Sequence, residues 1–272
     1  MKTLKDRRPQ KDYRKHFELY KGLRSEHGHI LWTLDYDFLN QNQPDYFEQW
    51  NILAPLVIEY AQERGKFCPT FPAVIEAGKG YIVALLCLSR LFTTVNRKRT
   101  ADGVPLFGFT IDDNVKAFIL RCGSVQEFID FKDLRNLHSI ETRRPVGPFI
   151  TFIGDLGNDG TIVPQIQQVE NDPDAVLDDA VDDPEVFPDD VQVVVTINGF
   201  DFKIDSNRLF DAIVYCYKAF SILSIPFPVE SARVWTFLYH TLFKDELKNP
   251  KTYNNVGECI DIINAKLRAV SS

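Results

Sequence analysis

Asp35 and Asp37 flank Tyr36 in the run His29-Ile-Leu-Trp-Thr-Leu-Asp-Tyr-Asp-Phe38. On a strand, alternate residues share a face, which would set the two carboxylates about 7 Å apart, the spacing of an acid/base or metal pair. A solvent-facing strand edge with Tyr36 turned inward has the same pattern, and that is the reading we favour. His27 and His29 could also share a strand face, yet zinc needs further ligands at short spacing, and no CxxC or HxxxH occurs. Asp172, Asp174 and Asp178 suggest calcium, but there is no glycine at the sixth position of such a loop, and Asp183 stands at the twelfth where a bidentate Glu is needed. The loop Gly154-Asp-Leu-Gly157-Asn-Asp-Gly160 lacks the Lys-Ser/Thr ending of a phosphate loop, and its two acids would repel phosphate. No Gly-x-Ser-x-Gly elbow occurs either. The sequence therefore nominates no catalytic residue, metal ligand or cofactor, and a non-enzymatic role is expected.

Charge offers two other kinds of contact. Residues 1 to 24 carry nine Lys or Arg against three acids, although the whole chain of 272 residues has a net charge of −7. Arg7, Arg8, Lys11, Arg14 and Lys15, interleaved with Tyr13, His16 and Phe17, form one basic patch, and Arg97, Lys98 and Arg99 form another. Either could meet nucleic acid or act as a nuclear-import signal; a solvated terminus and a cationic helix end are the plainer alternatives. No basic residue lies between Arg144 and Lys203, and Asp155 to Asp190 contains twelve acids. Asp172, Asp174, Asp178, Asp179, Asp182 and Asp183 make this an acidic interaction loop, solvated because nothing in it has a period that could be buried.

The elements that would position these groups divide at the acidic loop. Upstream, His29–Phe38 alternates as a strand. Phe47, Trp50, Leu53, Val57 and Tyr60 share one face of a helix over Tyr46–Arg64, with Pro55 a kink or a break. Gly80–Val95 is an almost wholly apolar helix, expected at the centre. Thr110 caps a helix through Leu120, and Ser124-Val-Gln-Glu127 is a capping box opening a helix to about Leu134. Downstream, Phe149–Ile153 and Val191–Ile197 read as strands, and Asn198-Gly199 joins the second to Phe200–Ile204 as a hairpin. Helices follow from Ser206 through Phe220, over Val229–Leu247 beyond Pro226 and Pro228, and over Val256–Val270. The expected fold is α+β, helix-dominated, with a small antiparallel sheet near an acidic loop insertion. Its parts are a basic arm (1–24), a helical lobe with a strand (25–168), the acidic loop (169–190), and a hairpin plus helical lobe (191–272) packed with 25–168 as one unit.

The widely spaced Cys68, Cys87, Cys122, Cys216 and Cys259 sit in apolar text and read as reduced core thiols. The charged Met1–Lys15 has no apolar signal core, and no apolar run is long enough to cross a bilayer, so a cytoplasmic or nuclear address without membrane contact is expected.

Several segments together resemble a family of animal proteins labelled sterile-alpha-motif-containing protein 3-like. Lys11-Asp-Tyr-Arg through Phe38 resembles its short helix, glycine and strand ending in Asp-x-Asp-Phe; Asp45-Tyr-Phe-Glu-Gln-Trp50 is similar to its F-x-x-W helix. Pro148-Phe-Ile-Thr-Phe-Ile-Gly154 is similar to its P-x-I-x-x-x-G strand, and Ala212–Phe220 with Phe227 to Leu238 resembles its closing helices. The resemblance spans roughly residues 11 to 245 and implies a helical scaffold or interaction body, linked to mobile elements and bringing no catalytic residues. Neither the sterile-alpha-motif nor the zinc-finger module of such proteins is read in the chain. The leading expectation is a protein-interaction or scaffold module with an unidentified protein partner, self-association included. The alternative is a nucleic-acid-associated protein using the basic arm and Arg97–Arg99, with the acidic loop as autoinhibitor.

Overall fold

A computed structural model of the chain describes residues 14–25, 27–41, 43–68, 72, 80–92, 98–99, 105–107, 116–142, 148–153, 155–156, 162–163, 193–197, 199–204, 209–244 and 250–270. The elements begin with α1 (Arg14–Leu19), a 3-10 turn (Lys21–Arg24), α2 (Gly28–Leu39), α3 (Tyr46–Glu63) and α4 (Gly80–Leu91). There follow β1 (Lys98–Arg99), β2 (Pro105–Phe107), β3 (Ile119–Cys122), α5 (Val125–Thr142), β4 (Phe149–Ile153), β5 (Asp155–Leu156) and β6 (Ile162–Val163). The chain continues through β7 (Val193–Ile197), β8 (Phe200–Lys203), α6 (Leu209–Ile222), α7 (Ala232–Leu238), a π turn (Tyr239–Phe243) and α8 (Asn254–Val270). Helix dominates, with one four-stranded sheet, in keeping with the α+β class.

Local chemistry sets several boundaries. The Asp45 carboxylate caps α3 by accepting from the Phe47 and Glu48 amides at 2.9 and 3.0 Å. Ser124 Oγ accepts from Glu127 N at 3.2 Å, and Glu127 Oε2 reaches back to Gly123 N at 2.6 Å, so the capping box forms one residue wider than the usual pattern. Gly199, at φ +81°, turns the chain between Ile197 and Phe200, which pair directly across β7 and β8. Only a glycine adopts that backbone without strain. Helix α3 runs unbroken through Pro55, which faces solvent, so the carbonyl its ring leaves unbonded is open to water.

The sheet has the order β3-β4-β7-β8. It is mixed rather than purely antiparallel: β3 and β4 run parallel, with Ile119 opposite Ile150, because α5 carries the chain back over one face before β4 begins. β4 pairs antiparallel with β7, and β7 with β8. Both central strands are buried along their whole length and therefore covered on both faces. Phe149, Ile153, Val194, Leu120 and Cys122 pack with Phe128 of α5; Ile150, Phe152, Val193, Val195, Ile197 and Phe202 face the main core. That core extends from Phe17 to Ile263, with α6 inside it.

Four further expectations change. His29–Phe38 is helical, not a strand, because His29, Trp32 and Tyr36 recur at three and four residues and bury one helix face. The helix expected from Thr110 through Leu120 is overtaken by sheet pairing: residues 116–118 are helical, but Ile119–Cys122 form β3, and residues 110–115 lie outside those described. The helix opened at Ser124 runs beyond Leu134 to Thr142, and that expected over Val229–Leu247 divides into α7 and the π turn, ending at Lys244 with φ 44°.

Two measurements follow from the packing. A Cβ on Gly28 would lie 2.5 Å from the Leu23 carbonyl oxygen and 3.0 Å from Phe202 Cε1, so Gly28→Ala is expected to lower unfolding stability by about 1–3 kcal/mol, read from the urea midpoint. Burial pushes the thiols of Cys87, Cys122 and Cys259 up to about 12, from an ordinary 9.0. Between those values the unfolded chain has released protons that the folded chain still holds, so stability should fall as pH rises above 9. At pH 8 the same three thiols should resist alkylation until urea is added.

Candidate interaction surface

Helix α2 is apolar nearly all the way round, and only part of that surface is buried. Its inner face lies on α6. Trp32 Nε1 donates to the Tyr215 carbonyl at 3.3 Å, and its ring meets Phe202 edge-on at 4.9 Å. His29 meets Tyr215 edge-on at 5.5 Å, and Tyr36 shares a 3.3 Å hydroxyl contact with Tyr46. These anchors fix the helix rotation.

With rotation fixed, the remaining apolar residues must point outward. Ile30, Leu31, Leu34 and Phe38 are 42%, 43%, 60% and 57% exposed and fall within an arc of about 100° on the opposite face. Leu31 leans over the 3-10 turn, its Cδ1 3.3 Å from where a Cβ on Gly22 would sit. Leu39, at the end of α2, is also exposed but falls about 80° outside that arc, and Ile52 on α3 and Leu134 on α5 come from separate elements. Among the described residues, α2 alone presents such a row along one helix face. Isolated exposed leucines need no explanation, whereas a contiguous apolar row makes the outer face of α2 the candidate surface. The sequence contained this signal as apolar positions 30, 34 and 38 beside the buried set 29, 32 and 36; a strand reading of the same run conceals it.

No family model, curated protein or solved structure matches the chain. The surface is consequently read from its own physics.

The residues nominated for chemistry do not assemble. On a helix, Asp35 and Asp37 diverge by about 200° rather than sharing a face. Asp37 Oδ1 accepts from Lys218 Nζ at 2.6 Å and from Gln43 Nε2 at 2.9 Å, tying α2 to α6. His27 and His29 rings lie 6.5 Å apart, and His29 is buried against aromatic rings. Among the described residues, no group of three His, Cys, Asp or Glu is placed to hold a metal. All five cysteines are free thiols. No described helix is long and apolar enough to cross a membrane.

Arg14 and Lys15 open α1, while Lys98 and Arg99 form β1 against β2, but the description does not extend to their side chains. Arg7, Arg8, Lys11 and Arg97, together with Asp172, Asp174, Asp178, Asp179, Asp182 and Asp183, lie outside the described residues. The charges that are placed act as struts. Lys132 bridges to Asp201 at 2.6 Å, and Asp201 also accepts from Thr196 at 2.7 Å, pinning α5 to the sheet. Arg135 lies 4.6 Å from the centre of the Phe149 ring, and burial lowers its pKa below the ordinary arginine value.

The Asp37–Lys218 pair is asymmetric, which makes its role testable. Lys218 is nearly buried at 11% side-chain exposure, whereas Asp37 is 45% exposed. Asp37→Ala would leave a desolvated ammonium and should cost about 1–3 kcal/mol, while Lys218→Met, which returns Asp37 to water, should cost clearly less. Paired thermal melts check the order.

Proposed function

We propose that this chain is a protein-interaction module whose docking surface is the outer face of α2. The single observation supporting this reading is the row Ile30, Leu31, Leu34 and Phe38, held outward by a helix whose opposite face is anchored by Trp32 and Tyr36. Exposed side chains of this size disfavour the isolated chain in water, and their burial by a partner supplies a driving force of about 25 cal/mol per Å². The resemblance to sterile-alpha-motif-containing protein 3-like proteins agrees with this reading, since its motifs describe a scaffold and bring no catalytic residues. A mobile-element origin belongs to the same proposal. Five free thiols support a reducing compartment, cytoplasmic or nuclear. The nucleic-acid reading depends mainly on basic side chains outside those described; of the arm's basic residues, Lys21 and Arg24 have described, exposed side chains.

The reading is tested with a photo-crosslinking residue at Leu34 in the full chain inside cells, and the same residue at the equally exposed Ile52 on α3. Discrete protein adducts are expected at Leu34 and not at Ile52, and Phe38→Glu should abolish them. Equal, diffuse labelling from both positions would overturn the proposal.

A further inference from the structure

We infer that the partner of this face is a second copy of the same chain, packed antiparallel through α2 about a two-fold axis at Leu34. The inference rests on the docking reading above and adds the occupant and its orientation.

The face is complementary to itself when reversed. Ile30, Leu34 and Phe38 are spaced by four, forming the kind of ridge that packs into the grooves of an identical helix at a crossing angle of about 50°. A two-fold axis at Leu34 sets that residue against the partner's Leu34. It sets Ile30 against the partner's Phe38 and, by symmetry, Phe38 against the partner's Ile30. Each small position thus meets a large one.

Charge selects the same orientation. At the N-terminal end of the face, Lys21 in the 3-10 turn is exposed. Asp35 lies in the C-terminal half of α2, where Asp37 is already held by Lys218. The turn that carries Lys21 lies beside Leu31, and Asp35 projects about 40° further round on that flank. In an antiparallel pair the same flanks meet with their ends exchanged, bringing Lys21 toward the partner's Asp35. A parallel pair would set that flank against the opposite one, away from the partner's Asp35.

The area suits a weak, specific dimer. The four side chains offer on the order of 400 Å² of apolar surface per copy, and the two faces with their polar rim reach the ~1,000 Å² that a specific interface requires. A dissociation constant on the order of 10 µM is expected.

Sedimentation of the full chain across a concentration series should show a monomer–dimer equilibrium. Leu34→Glu should weaken it at least about tenfold with an unchanged melting curve, because Leu34 is 60% exposed. Lys21→Asp and Asp35→Lys should each weaken the dimer, and the two together should restore it.

Orientation is read from disulfides. A mixture of Ile30→Cys and Phe38→Cys chains should cross-link on mild oxidation, as should Leu34→Cys with itself, whereas Ile30→Cys alone and Ile52→Cys should not. A chain monomeric at about 200 µM, a dimer unaffected by Leu34→Glu, or cross-linking of Ile30→Cys with itself would each overturn the inference. Failure of the docking reading is separately visible: a monomer that still gives discrete foreign-protein adducts at Leu34 sinks self-pairing alone, while loss of both signals sinks the two together.

Discussion

Helix α6 has to be covered on every side, and most of the remaining structure follows from how that is done. From Cys216 to Leu223 every residue is buried, so no face of the helix can be left to water. The sheet covers one side through Ile150, Phe152, Val193, Val195 and Ile197. Helix α2 covers another with His29, Trp32 and Tyr36, and Trp50 of α3 stacks on Phe210 at 6.1 Å. Phe243 of the π turn lies flat on Tyr217 at 3.7 Å, and Trp235 of α7 meets Phe220 edge-on at 4.8 Å. Lys218 is the one ionisable cation inside this stretch, and the cost of desolvating its ammonium is offset by Asp37, with which it pairs, and by the Tyr36 ring beneath it.

That arrangement explains why α2 carries apolar residues on two faces. Its inner residues cover α6, and their geometry leaves the helix no freedom to rotate Ile30, Leu34 and Phe38 inward. Burying both faces would need another layer outside α2, which the proposed partner would provide. The sheet shows the contrasting solution. β4 and β7 are also apolar on both faces, yet α5 covers the second face within the same chain, with Lys132–Asp201 and the Arg135–Phe149 stack fastening its edge. The described charged residues therefore secure elements to one another.

Much of this was legible in the sequence wherever a short-range rule was sufficient. The Ser124–Glu127 capping box, the Asn198-Gly199 hairpin, the buried strand Phe149–Ile153 and the apolar helix from Gly80 each depend on neighbours within a few residues, and each forms. His29–Phe38 escaped such reading because apolar residues on both of its faces satisfy period two and period 3.6 alike. The expectation that Asp35 and Asp37 share a face followed from it.

The sequence by itself determined the helix-dominated α+β class, most element positions and the concentration of charge at one end and in one loop, because caps, turns and apolar periods are local properties. Only the tertiary structure decided that α2 is a helix, that the sheet is mixed, and that Ile30, Leu34 and Phe38 face water. The physical reason is that burial is a relation between distant residues: Trp32 is inward only because Tyr215 and Phe202 meet it there, and Leu34 is outward only because Trp32 is inward.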